Sequence, residues 1–236
     1  MTMDIEFPDI LNRWRDVCLL DLYYNRGMIT IVVQAGGESR RMGRDKGLVP
    51  FLGKPLIQRV LQRTSALAQE VLVTTNKPED YEFTGYPLFP DFYPGRGALG
   101  GLYTALRAAS QPLVAVVACD MPFVSPRLLQ AELEKLQQSL SAGEQALDAV
   151  IPRGEGGTEP FHAVYHRSAC LPLIETVMQQ NRWRVDSWFA SANLYLMDLA
   201  EMQHYDPHGL AFWNVNTPEE LIQAEELALR LDAQQE

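Results

Sequence analysis

The amino-acid sequence predicts an α/β fold, a doubly wound and mostly parallel sheet with helices on both faces. From Ile29 onward, short runs rich in β-branched residues alternate with stretches of helical apolar spacing, which is the pattern of successive βαβ units. The first of these runs, Ile29–Gln34, leads straight into a glycine-rich loop, where open α/β sheets place their ligands. The chain has 236 residues, 47% apolar and 21% charged, enough for one globular domain with a full core.

Residues 1–27 stand apart from this pattern. Ile10, Leu11, Trp14, Val17 and Cys18 have helical spacing, but regular alternation starts only after Met28. The stretch reads either as an added helix or as the product of an upstream start codon, and a single domain is expected over 28–236. Ile29–Gln34 is the first strand. Leu56, Val60, Leu61, Thr64 and Leu67 then form one helical stripe with Pro55 in its first turn, and Glu70–Thr75 returns as a strand. Leu88–Pro90 is a short strand ending near Asp91, Leu99–Ala109 a helix of small residues, and Leu113–Cys119 a buried strand closed by Asp120-Met121-Pro122. Ser125 as N-cap and Pro126 at the first helical position open a helix through Leu128, Leu129, Leu133 and Leu136. Asp148–Pro152 is a further strand, residues 154–157 a loop, Phe161–Tyr165 a strand, Cys170–Met178 a helix and Asn193–Met197 a strand. Thr217 and Glu220 form a capping box at the start of the last helix.

The net charge of −10 argues against broad nucleic-acid binding, which needs a basic surface to neutralise many phosphates. No apolar run reaches the roughly 18 residues of a membrane span, and Asp4, Glu6 and Asp9 stand where a signal peptide would be basic. Cys18, Cys119 and Cys170 are far apart and form no CxxC or Cys/His cluster, so neither a disulfide framework nor a zinc site is expected. A reducing, cytoplasmic setting fits these features.

Against the acidic background, residues 34–46 read Gln-Ala-Gly-Gly-Glu-Ser-Arg-Arg-Met-Gly-Arg-Asp-Lys, with Arg40, Arg41, Arg44 and Lys46 close together. Gly36 and Gly37 allow close backbone approach and offer amide donors, as phosphate-cradling nests do. Arg41 and Lys46 suit the charge of a triphosphate and its pyrophosphate leaving group. The loop has no Gly-Lys-Ser/Thr triplet and is not a Walker A motif. Read without context, such a loop is either this kind of anion site or a solvated turn with surface ion pairs. Asp120, at the carboxyl end of a strand, is either a turn former or a ligand for a hard cation such as Mg²⁺. Asn214 and Asn216, one residue apart before the last helix, face the same way if extended; they either bind phosphate or a metal shell, or cap that helix.

A competing pattern lies at Gly95-Arg96-Gly97-Ala98-Leu99-Gly100, a literal GxGxxG with Asp120 twenty residues beyond, as in NAD(P)-binding oxidoreductases. The preceding Phe92-Tyr93-Pro94 makes a poor strand, and this reading leaves residues 34–46 unexplained. A catalytically idle nucleotide-binding protein would carry the loop without the metal aspartate, whereas here both are present.

The string from Ala35 to Lys46 resembles the signature of the molybdenum cofactor guanylyltransferases, within a nucleotidyltransferase family of doubly wound, Rossmann-like fold. Gly53-Lys54-Pro55-Leu56, Gly97-Ala98-Leu99-Gly100-Gly101-Leu102, Cys119-Asp120-Met121-Pro122 and the run from Asn214 to Leu221 resemble that family's later blocks, in order. The resemblance spans Ile29 to about Leu229 and implies GTP and molybdopterin as substrates, with Mg²⁺ as cofactor. Insertion or target enzymes for the product would be partners. It implies that Gln34, Ala35 and Gly36 read guanine and that Lys46 meets the phosphates, with Gly37 and Arg41 beside it. It also implies that Thr74 and Asp91 meet the nucleoside and that Asp120 holds the metal. The family commonly has Leu at the place of Gln34 and often Asn at that of Thr74. Related enzymes use CTP or a sugar 1-phosphate. The acceptor side would draw on Asn214, Asn216, Arg184 and His162, together with Arg153, Arg167, Arg182 and Trp183, because aromatic and guanidinium groups suit a flat anionic pterin. His162, His166, His204 and His208 have no triad or metal spacing and read as surface or substrate-contact residues.

Overall fold

The computed structural model describes residues 29–36, 45–143 and 145–232. The expectations for residues 1–27 and for Gly37, Arg40, Arg41 and Arg44 fall outside these residues. In chain order the first half comprises β1 (Ile29–Gln34), β2 (Pro50–Phe51), β3 (Lys54–Pro55), α1 (Leu56–Thr64), β4 (Glu70–Thr74), β5 (Leu88–Phe89), α2 (Gly97–Ala108) and β6 (Leu113–Ala118). The second half comprises α3 (Pro126–Ala142), β7 (Ala149–Gly154), β8 (Gly157–Thr158), β9 (His162–His166), α4 (Arg167–Gln179), β10 (Leu194–Met197), α5 (Leu199–Met202) and α6 (Pro218–Asp232).

The main sheet has the order β10-β7-β9-β6-β1-β4-β5, with β8 paired to β7. Its pairings are parallel from β6 through β1 and β4 to β5, and between β7 and β10. Strand β9 runs antiparallel to both β6 and β7, which the repeating βαβ pattern does not predict. The short link between β7 and β9 explains it, since a parallel return needs a crossover of a dozen or more residues. That link folds as the small β7–β8 hairpin where the sequence suggests a plain loop.

The central strands are buried on both faces, which accounts for their nearly unbroken apolar runs. Ile29, Ile31 and Val33 of β1 face one cluster with Ile57, Val60 and Leu61 of α1 and Leu128, Leu133 and Leu136 of α3. Val32 faces the opposite cluster with Leu99, Leu102 and Leu106 of α2 and Cys170, Ile174 and Val177 of α4. Each fully buried Leu or Ile contributes about 1.5–3 kcal/mol to this sandwich. Helix α4 begins earlier than the apolar spacing suggests and holds Pro172 within its first two turns.

The expected caps are present. Ser125 Oγ accepts from Leu128 N at 3.2 Å, opening α3. At α6, Thr217 Oγ1 accepts from Glu220 N at 3.2 Å and Glu220 Oε2 accepts from Thr217 N at 3.1 Å. Helix α6 lays Ala224 and Ala228 against Phe51, Leu56, Phe123 and Val215, which brings residues 214–216 over the carboxyl end of β6. No helix among the described residues is long and apolar enough to cross a membrane.

Candidate active site

Parallel strands end at one edge of the sheet, and the backbone there is stitched from strand to strand. Ala35 N donates to Thr74 O at 2.8 Å, Cys119 N to Gln34 O at 3.0 Å, Ala118 N to Phe161 O at 3.0 Å and Val215 N to Asp120 O at 2.9 Å. Above this edge lies a cleft of about 870 Å³. Gln34, Gly36, Lys46, Asp91, Asp120, Asn214 and Asn216 line it, so the structure gathers these sequence-derived candidates from five separate segments.

The ionic centre is Lys46. Its Nζ donates to Asp120 Oδ2 at 2.8 Å and to Asn216 Oδ1 at 2.5 Å, joining residues 74 and 170 positions apart in sequence. Asp45, which the sequence reading passed over, caps the short turn Lys46–Leu48 by accepting from Gly47 N at 3.2 Å. Tyr81 is fully buried and donates its Oη to the same Asp45 oxygen at 2.5 Å. Burial, followed by the nearby Cys119 and Asp45, raises the Tyr81 hydroxyl above its ordinary range, so it stays a donor. A Cβ at position 47 would lie 2.6 Å from Tyr81 Oη, so glycine is what lets the turn seat there.

On the β4–β5 side, Asp91 N donates to Asn76 Oδ1 at 3.0 Å and Asn76 Nδ2 donates to Asp91 Oδ2 at 2.7 Å, forming a reciprocal pair on the cleft wall. Asn76 was not singled out from sequence. Its position just past a strand parallel to β1 is the signal that could have found it. Thr74 differs from expectation: its side chain is enclosed beneath the cleft, with Oγ1 unpartnered. Gln34 continues the α2-facing row of β1 and lies against Gly101, where a Cβ would come within 1.8 Å of its Nε2. Ala35 is buried and contributes its backbone, and Gly36 opens onto the cleft.

On the β9 side, Asn214, Phe161 and Glu159 line the cleft. Burial raises the Glu159 carboxyl above its ordinary range, with His162 acting in the opposite sense. Two acceptor-side expectations are corrected. His162 is not a surface or substrate-contact residue; it is fully buried, receives Ser125 N–H on Nε2 at 3.4 Å and donates Nδ1–H to Glu132 Oε1 at 3.0 Å. These two partners satisfy both ring nitrogens, which is why the side chain can sit inside. Burial pushes the Glu132 carboxyl up to about 7, with His162 opposing. Arg184 does not reach the cleft either, because its guanidinium forks onto exposed Asp186 at 2.8 and 3.0 Å. Trp183 is close to the cleft rim, beneath the Arg96 guanidinium at 4.5 Å and beside Tyr93.

The residues present fit a hard divalent cation. Mg²⁺ is usually held by one or two carboxylates together with substrate phosphates and water. Asp120, partly open to the cleft and flanked by two asparagines, offers that oxygen set. Among the described residues no group of three or more His, Cys, Asp or Glu forms a closed metal cage.

The comparisons with known proteins agree with this geometry. The model of the MobA-like NTP transferase domain matches residues 31–192. A protein of Natranaerobius thermophilus described as "Probable molybdenum cofactor guanylyltransferase" is 34% identical over 200 residues, which is 83% of this chain and 94% of that protein. The molybdenum cofactor guanylyltransferase of Desulfosudis oleivorans is 30% identical over 198 residues, 84% of this chain and 94% of that one. The crystal structure of molybdopterin-guanine dinucleotide biosynthesis protein A from Archaeoglobus fulgidus superposes with a TM-score of 0.71 at 28% identity, covering 85% of this chain and 99% of that chain. With its cleft, its matched domain and relatives aligned over nearly their whole length, this chain belongs to the MobA-like NTP transferase family and is a nucleotidyltransferase.

Proposed function

We propose that this protein transfers GMP from GTP to molybdopterin, releasing pyrophosphate and forming the guanine dinucleotide of the cofactor. The observation that carries this reading is the contact of Lys46 with Asp120 and Asn216 in the floor of the cleft, a phosphate-sized charge centre at the ends of β1 and β6. The names of the relatives supply the guanine and the molybdopterin.

In the transfer, an oxygen of the acceptor phosphate attacks the α-phosphorus, the new P–O bond forms, and the bond to the β-phosphate oxygen breaks. The acceptor phosphate is already ionised near neutral pH, so no side chain needs to take a proton. No histidine is among the described residues lining the cleft. The work of the protein is alignment and charge neutralisation. Lys46 neutralises the transferred phosphate and the leaving pyrophosphate, with Arg41 assisting. Gln34, Ala35, Gly36 and Gly37 cradle base and phosphate, and Asp91, held by Asn76, meets the nucleoside. Asn214 and Asn216 orient the acceptor phosphate. Asp120 would hold Mg²⁺, which when bound supplies a Lewis acid that draws charge from the phosphate oxygens. The setting is cytoplasmic.

A pyrophosphate-release assay with GTP, CTP, UTP and ATP, with and without molybdopterin, tests the reading. GTP should be consumed only with the acceptor and Mg²⁺ present, and Asp120→Ala should abolish turnover at unchanged thermal midpoint. Equal turnover of CTP would overturn the guanylyl assignment.

A further inference from the structure

Glu159 has no place in the mechanism above. Its carboxylate lines the cleft half-buried, and among the described residues no hydrogen bond or ion pair is made to it. The segment that presents it is nevertheless held at every residue. Glu159 N donates to Pro152 O at 2.9 Å and Glu159 O accepts from His162 N at 3.1 Å. Pro160 O accepts from Tyr165 Oη at 2.6 Å, and Phe161 O accepts from Ala118 N. His162, immediately after, is pinned to Glu132 and Ser125. A carboxylate on such a backbone is presented ready-made, with little ordering cost left for a ligand to bear.

A free carboxylate is a poor neighbour for a polyphosphate. It calls for a cation or for paired N–H donors. Lys46 is the sole Lys or Arg among the described residues lining the cleft, and it is committed to Asp120 and Asn216. Glu159 also joins no group of three potential metal ligands among the described residues. A ligand carrying two parallel N–H donors is a complementary partner for such a carboxylate, which accepts both. Phe161, next to it on the cleft surface, adds an aromatic flank suited to a flat ring.

We propose that Glu159 receives the ring N–H and exocyclic amino group of an amino-pyrimidinone heterocycle seated against Phe161 on the acceptor side of the cleft. Guanine and pterin share that edge. Strand order separates them: Asn76 and Asp91 follow β4 and β5, whereas Glu159 and Phe161 precede β9, on the far side of β6 and β1. With the nucleoside on the first flank, Glu159 reads the pterin. This assignment rests on the proposed acceptor, and it adds the side chain that recognises its ring.

The test compares the full chain with Glu159→Gln and Glu159→Ala. Free pterin is titrated by its own fluorescence, GTP and ITP affinities are measured by calorimetry, and thermal midpoints report the fold. ITP lacks the exocyclic amine. Pterin affinity should fall about ten- to hundredfold in both variants, as expected for a lost charge-assisted hydrogen-bond pair. GTP affinity, the GTP-to-ITP ratio and the thermal midpoint should be unchanged. Pterin binding that is equal in all three proteins, or absent from all three, overturns the proposal. So does a loss of GTP affinity with collapse of the GTP-to-ITP ratio, which would give the carboxylate to guanine. Failure of the proposed reaction is seen separately, as wild-type protein that releases no pyrophosphate from GTP and molybdopterin.

Discussion

Replacing Glu132 by Gln should remove a pH dependence of stability that the wild-type fold carries. Glu132 is fully buried on α3, its Oε1 accepts a hydrogen bond from His162 Nδ1, and its Oε2 has no partner among the described residues. Its carboxyl is pushed from the ordinary 4.5 to about 7. Below pH 4.5 the group is protonated in both folded and unfolded chains, and the fold carries no penalty. As pH rises toward 7 the unfolded chain ionises while the folded carboxyl resists, so stability drains away until both forms are ionised. At 1.36 kcal/mol per pH unit the loss is about 3 kcal/mol, or about 6–12 °C in thermal midpoint for a chain of this size. Glutamine keeps an acceptor for His162 and cannot ionise. Part of the loss has already occurred at pH 5, so the midpoint of the variant relative to wild type should be about 5–10 °C higher at pH 8 than at pH 5. Glu159, also raised, adds to the wild-type slope with the same sign. Glu70, Asp186 and Glu201 are lowered, and their contributions are lost as the solution becomes more acidic than this window. These groups are common to both proteins and cancel in the difference. Thermal denaturation of both at the two pH values is the assay, and a difference that does not change with pH would refute the reasoning.

Two glycine substitutions separate rigid from yielding contacts. In Gly47→Ala the new methyl meets Tyr81 Oη at 2.6 Å and Cys119 Sγ at 3.3 Å, both on buried groups. It should cost about 1–3 kcal/mol in denaturant unfolding and lower turnover by displacing Lys46, and a wild-type midpoint with full activity would contradict that. In Gly101→Ala the obstacle is the far end of Gln34, which can rotate aside. Thermal stability should stay near wild type while GTP affinity by calorimetry weakens about tenfold; unchanged affinity would remove Gln34 from the nucleotide site.

The parts of the fold legible in sequence were those set by local chemistry. The apolar run Leu113–Ala118, the Ser125 and Thr217 caps and the glycine-rich exit from β1 each specify their structure within a few residues. The direction of β9 depends on how short the β7–β9 link is, which periodicity does not register. His162 looked polar and accessible because its partner, Glu132, lies 30 residues away on another element. Asn76 carried no motif; only the pairing of β4 beside β1 shows that a residue past its end must reach the cleft. Glu159 was hidden for the same reason, since its importance comes from what surrounds it and not from its neighbours in the chain.

The reversed course of β9 has a consequence for how such an enzyme can change. One half of the cleft is made by segments that leave β1, β4, β5 and β6, and those leaving β5 and β6 continue into α2 and α3, which pack on the sheet. The other half is made by a segment that enters a strand, fed by the exposed β7–β8 hairpin. That hairpin can lengthen, shorten or be exchanged without disturbing a helix or the turn that carries Lys46. Chains of this architecture are thereby free to vary the β9 side of the cleft while the β4–β5 side stays as it is.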